Sequence, residues 1–263
     1  MVVRVHVVSD VHGNTDALAR AGDGADVLIV LGDLIDFVDY HDHSGGILGR
    51  IFGPDAVRRF AELRTGARDE LRSFARSLWA RLDDPAAVIE EEVRSQYERL
   101  FRSFTVPTYA TPGNVDLPHL WTEYASDLVT ICDGVVADIG GVRVGFVGGG
   151  LLPEGVRPSG SAAWMPYLRT QQDYAAAAAA LTGLDVVASH IPPALPDLCY
   201  DVVARHEERG SPHLLELIDR ERPELALFGH VHQPLAPRMR IGRTECVNVG
   251  HFQRTETPYV LCW

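Results

Sequence analysis

Six short stretches of the chain end in residues that bind metals or move protons. V-V-S-D-V-H-G-N carries Asp10 and His12, two apart, just beyond an apolar run. V-L-I-V-L-G-D-L-I-D carries Asp33 behind Gly32, and T-P-G-N-V-D carries Asn114 followed by Val115 and Asp116. V-V-A-S-H-I-P-P adds His190, L-F-G-H-V-H adds His230 and His232, and C-V-N-V-G-H adds His251. Taken singly, each has an ordinary use, because Asp and Asn are common in caps and turns. Together, Asp10, His12, Asp33, Asn114, His190, His230 and His232 follow strand-like runs, and ligands of open α/β sheets bind beyond the carboxyl ends of strands. A mixed oxygen and nitrogen set of this size suits two cations sharing a carboxylate, with Mn, Fe or Zn favoured over Ca. Two neighbouring cations are the apparatus of phosphoryl hydrolysis.

Something must hold these groups level with one another. Strand-length runs of apolar, β-branched residues recur at 5–8, 27–31, 142–147, 186–188, 225–228 and 260–262. Helical patterns lie between them at 16–21, 171–181 and 212–222, the last with Ser211 as N-cap. This alternation predicts an α/β domain whose early strands are buried and largely parallel. Gly140-Gly141 sits between two alternating runs and predicts a hairpin. From residue 53 to residue 104 there is no strand signal, only Arg/Glu-rich helical sequence split by Pro85, with Asp84 as a cap. The expectation is one domain over 1–263 carrying a helical insertion at 53–104. Within that insertion the Glu90–Glu92 run reads as a solvated face.

A net charge of -12 argues against a broad electrostatic grip on nucleic acid or an anionic membrane. All 24 basic residues are Arg, which excludes lysine chemistry. The N-terminus reads as a first strand rather than a signal peptide, and no apolar run approaches a membrane span. Cys132, Cys199, Cys246 and Cys262 are scattered without a C-x-x-C pair, which points away from a disulfide framework and toward the cytoplasm.

The ordered set D-x-H, G-D, G-N, H and G-H-x-H, from residue 10 to residue 232, resembles the calcineurin-like metallophosphoesterase superfamily. That resemblance implies a four-layer α-β-β-α sandwich of two mixed sheets. It implies that Asp10, His12, Asp33 and His232 hold one metal ion, and that Asp33 bridges to a second held by Asn114, His190 and His230. Asp33, Asn114 and His190 would act in catalysis through two divalent or trivalent ions of Mn, Fe or Zn. The implied chemistry is attack on a phosphate ester by a metal-bridging hydroxide.

One position departs from the pattern. Many members carry G-N-H-D or G-N-H-E, where the histidine protonates the leaving alcohol and the acid orients it. Here that position is Val115, and Asp116 has no imidazole to orient. A general acid contributes roughly 10²–10⁴-fold, most of it for poor leaving groups, so a phosphodiesterase is expected ahead of a phosphomonoesterase or protein phosphatase. His119 and His251 are the candidate replacement donors; His41 and His43 read as a substrate-side loop or plain surface. The expected partner is a small-molecule or nucleotide phosphoester, with no stable nucleic-acid or membrane binding and with the insertion available for self-association. A non-catalytic scaffold of the same fold, like the retromer subunit with its eroded metal site, is the alternative. The complete ligand set argues against it, since buried unpaired polar groups destabilise a fold.

Overall fold

The computed structural model describes residues 2–64, 68–156 and 164–263. The chain lays down β1 (Arg4–Val8), β2 (Val27–Val30), β3 (Thr108–Ala110), β4 (Val129–Ile131), β5 (Val135–Ile139) and β6 (Val142–Val147). It continues with β7 (Val186–Ser189), β8 (Leu225–Phe228), β9 (Arg238–Ile241) and β10 (Thr244–Asn248), then returns in β11 (Tyr259–Cys262). These strands form two mixed sheets, ordered β11-β1-β2-β3-β4 and β9-β10-β8-β7-β6-β5. The strands β1 to β4 are mutually parallel, and β11 runs antiparallel at the edge. Gly140 (φ 64°) and Gly141 (φ 89°) close the β5–β6 hairpin, a backbone that glycine adopts without a Cβ penalty.

Side-chain alternation along these strands makes the layers. Val5, Val7, Ile29 and Leu31 face the second sheet and meet Phe146, Ala188, Leu227 and Val247 in the central core. Val8, Leu28, Val30 and Ala110 face outward, onto α1 (Thr15–Ala21). The outward face of the second sheet, with Val187, Ala226, Phe228 and Cys246, is covered by α6 (Gln171–Ala180) and α7 (Pro212–Glu221). Each fully buried Val, Leu or Ile contributes about 1.5–3 kcal/mol, so three interlayer cores hold the strand ends rigidly in place. Ser211 caps α7 as expected, accepting from Leu214 N at 3.4 Å. No helix among the described residues is long and apolar enough to cross a membrane.

The helical stretch differs from expectation on two counts. It begins at α2 (Gly46–Phe52), before residue 53, and continues through α3 (Pro54–Arg64), α4 (Arg68–Trp79) and α5 (Pro85–Arg102). Its last helix is also no appendage. Ile89, Val93, Tyr97, Leu100 and Phe101 form one apolar stripe on α5 and pack into the core beside α1 and the first sheet. Only α2 to α4 have a small core of their own, with Leu48, Ala56, Val57 and Leu78 buried together. Asp84 caps α5 by accepting from Ala87 N at 3.1 Å.

Candidate metal centre

Strand register brings the candidate ligands together. Val8 pairs with Val30 and Val30 with Ala110, so the segments leading to Asp10, Asp33 and Asn114 leave the first sheet side by side. In the second sheet Ala188 pairs with Leu227, and Phe228 with Asn248, which aligns the segments carrying His190, His230 and His251. The backbone turns sharply at these exits. Asp10 (φ 57°), His12 (φ 41°), Asp33 (φ 52°) and His230 (φ 66°) all occupy the left-handed region. Such residues are uncommon outside glycine and concentrate at functional sites. Gly32 and Gly229 permit the crowding: a Cβ on Gly32 would overlap Gly113, and one on Gly229 would overlap Ser9 and Asp10.

All seven expected side chains converge. Asp33 lies between two groups of imidazoles, with Oδ1 3.4 Å from His190 Nε2 and Oδ2 4.0 Å from His12 Nε2. His190 Nε2 also lies 2.9 Å from Asn114 Oδ1. Asp10 Oδ1 stands 3.4 Å from His232 Nε2 and 3.9 Å from His12 Nε2, while its Oδ2 accepts from the His230 backbone N–H at 2.9 Å. Backbone carbonyls fix the ring orientations. His190 Nδ1 donates to Leu31 O at 2.8 Å, and His12 Nδ1 to Ile35 O at 3.3 Å. These outer hydrogen bonds aim the two Nε2 atoms at the carboxylates, the orientation of metal-ligating histidines.

The donor set fits metal ions. Ligand atoms of Asp10, His12 and Asp33 lie within 4.8 Å of one another, as do those of Asp33, His190 and His230. Asp33 belongs to both groups. Asp10 Oδ1 is buried without a hydrogen-bond partner, an acceptor that a cation would satisfy. Two buried carboxylates also need positive charge. Burial opposes the charged forms of both Asp10 and His190. The neighbouring His232 nevertheless holds Asp10 well below the usual carboxylate range, and Asp33 lifts His190 to about 9. Metal ligation would release that imidazolium proton.

The two candidate proton donors fare differently. His119 is not in the cluster: its ring is 59% exposed and lies 3.4 Å from Glu90 on α5. Of the Glu90–Glu92 run, Glu91 is exposed, Glu90 is half-buried beside His119, and Glu92 is turned inward to pair with Arg50 at 3.1 Å, so the run is only partly a solvated face and His119 is a surface partner of Glu90. His251 does join the cluster, stacked on His232 with centroids 3.7 Å apart. Burial, then the charge of His232, pushes its pKa down to about 4. Gln253 donates to the His12 carbonyl at 3.0 Å and turns its own oxygen toward His251 Nε2 at 3.2 Å. A neutral ring with Nε2–H directed at Gln253 leaves Nδ1 as an acceptor for a cation or a hydrogen-bond donor, and a ring that stays neutral above about pH 4 has no acidic proton to give a leaving group.

Asp116 has a different task from orienting residue 115. It is fully buried and accepts from Gly113 N at 2.8 Å, Leu34 N at 3.1 Å and Tyr97 OH at 3.1 Å. Its carboxylate thus ties the Asp33 loop to the Asn114 loop and to α5. Val115 donates its backbone N–H to Asp33 Oδ1 at 2.9 Å and packs its side chain against the outer core of the first sheet.

The cluster opens into a cavity of about 670 Å³, within the size range of ligand pockets. Sequence reasoning missed several of its lining residues. Glu208 stands 3.9 Å from His230 Nε2. Asp36 also lines it, with burial and the nearby Asp39 raising its carboxyl to about 7. Arg254, on the turn after His251, lines it too, and its guanidinium makes no hydrogen bond or ion pair among the described residues. Its position three residues after His251 is the one clue the sequence offered. His41 reaches the cavity wall, as a substrate-side loop would.

An α-β-β-α sandwich that gathers carboxylates, an amide and imidazoles at its strand ends defines a metal-centre hydrolase architecture. The chain belongs to the calcineurin-like phosphoesterase family, whose pattern matches residues 3–234. One solved crystal structure is 16% identical and covers 100% of this chain and 99% of its own, with a TM-score of 0.63. The structure of TT1561 from Thermus thermophilus is also 16% identical, covers 99% of each chain, and has a TM-score of 0.54. At such identities these likenesses speak for the fold. No curated protein matches the chain.

Proposed function

We propose that the chain is a dinuclear-metal phosphoesterase that prefers phosphodiesters. The observation that carries this reading is the convergence of Asp10, His12, Asp33, Asn114, His190, His230 and His232, with Asp33 shared between two ligand groups in one cavity. Asp10, His12, Asp33 and His232 would hold one cation, and Asp33, Asn114, His190 and His230 the other. When bound, the cations supply Lewis acidity to the phosphate and lower the pKa of the attacking water. In the reaction, the water oxygen forms a bond to phosphorus, the ester P–O bond breaks, and the alcohol leaves with one proton. Asp33 and Asn114 keep their oxygens aimed at the reacting centre, and the hydrogen bond to Leu31 keeps His190 in place.

Val115 supports the diester preference, because the residue that follows Asn114 carries no group able to give a proton. Val115→His adds an imidazole, but the Asp116 carboxylate is already occupied by two backbone N–H groups and Tyr97. The expected gain in monoester over diester kcat/KM is therefore under about tenfold, short of the 10²–10⁴-fold of a well-placed acid. The overall test is kcat/KM with bis-p-nitrophenyl phosphate against alkyl phosphomonoesters, under one metal. A wild type that prefers alkyl monoesters would overturn the diester reading.

Arg254 offers its uncommitted guanidinium to a phosphate oxygen. Arg254→Gln is expected to lower diester kcat/KM roughly 10- to 100-fold, the scale of one charge-assisted contact. Metal content should stay at the wild-type level. An unchanged kcat/KM would remove Arg254 from the site.

A further inference from the structure

The cavity is larger than a phosphate group and a metal pair require, and its far wall is aromatic. Phe37 and Trp164 stack with centroids 3.9 Å apart at 16°. Trp79, at the end of α4, lies 6.4 Å from Phe37 at a 46° tilt. Val115 packs against the same apolar cluster as Trp79 and Trp164, a cluster that includes Phe37. The valine is therefore where the apolar wall meets the candidate metal centre. Phe60 on α3 lines the same cavity. Asp36 and Glu208 line the cavity together with Arg64 and Arg254, so the wall carries both signs of charge and its selectivity falls to the aromatic surface. Aromatic walls recognise ring faces and edges, favouring a ring beyond what its buried area alone gives.

We propose that the substrate is a phosphodiester whose second ester group is an aromatic ring system, seated between Val115 and helices α3 and α4. The inference rests on the phosphoesterase reading and names its substrate class. Residue 115 is then a specificity residue: a side chain unable to donate a proton completes the apolar seat. Helices α3 and α4 form the far wall of that seat, which gives the stretch outside the sheets a direct part in recognition.

The test uses three diesters with the same leaving group, methyl, cyclohexyl and phenyl p-nitrophenyl phosphate, and metal-loaded full-length protein. Each kcat/KM is divided by the uncatalysed rate of that ester. The phenyl ester should exceed the methyl ester roughly 10- to 100-fold, as burial of a ring predicts, and should exceed the cyclohexyl ester severalfold. Trp79→Ala should lower the phenyl-to-methyl ratio to about three or less. Phe60→Ala, a smaller change at the same wall, should lower it in the same direction. Equal kcat/KM for phenyl and methyl esters, or a ratio that both variants leave intact, would overturn this inference alone. Cyclohexyl equal to phenyl would overturn the aromatic assignment. No turnover of any of the three would overturn the phosphoesterase reading and this inference with it.

Discussion

Asp33→Asn is expected to lower diester kcat/KM by roughly 10³-fold or more, because several kcal/mol of transition-state stabilisation pass through this carboxylate. One oxygen lies 3.4 Å from His190 Nε2 and the other 4.0 Å from His12 Nε2, so a single group serves both halves of the cluster. Asparagine keeps the shape and can still accept the Val115 N–H, yet it lacks the charge that two cations would share. Loss of Asp10 or His232 would strike one half only. The measurement is kcat/KM for bis-p-nitrophenyl phosphate alongside metal content, with circular dichroism to show that the variant folds. A folded variant with wild-type activity would remove Asp33 from the chemistry.

Asp116→Leu should destabilise the protein by about 3–5 kcal/mol, since the Gly113 and Leu34 N–H groups and the Tyr97 hydroxyl would each lose a buried acceptor. For a chain of this size, thermal denaturation should register this as a fall in Tm of about 10 °C. Asp116→Asn retains acceptor oxygen and should lose less than half as much. If Asp116 existed only to orient residue 115, its replacement beside a valine would be close to neutral in a melt. A Tm within about 2 °C of wild type for Asp116→Leu would support that older role and contradict the three hydrogen bonds described above.

Much of the architecture is legible in the sequence because its strands are short, apolar runs buried on both faces, as at Val5–Val8 and Leu225–Phe228, each ended by Gly, Ser or Asp. The convergence of ligands is legible for a related reason: each ligand ends or closely follows a strand, and parallel register brings strand ends level. Three features were not legible. The role of α5 depends on tertiary packing, and its apolar stripe at Val93, Tyr97, Leu100 and Phe101 is as consistent with a separate helical pair as with a sandwich layer. Asp116 looked like an idle partner because its three donors come from residues 3, 19 and 82 positions away, and no local pattern announces them. The aromatic wall gathers Phe37, Trp79 and Trp164 from segments far apart in the chain, with no shared spacing to link them.

The central claim is that Asp33 joins two metal sites. It is tested most directly by metal stoichiometry in wild type and Asp33→Asn, each stripped with a chelator, reloaded with Mn or Zn, and analysed by elemental mass spectrometry after gel filtration. The account predicts about two ions per wild-type chain, the number two adjacent sites require, with both sites weakened in the variant. Wild-type protein that retains no metal after reloading, or a variant that retains as much as wild type, would contradict it.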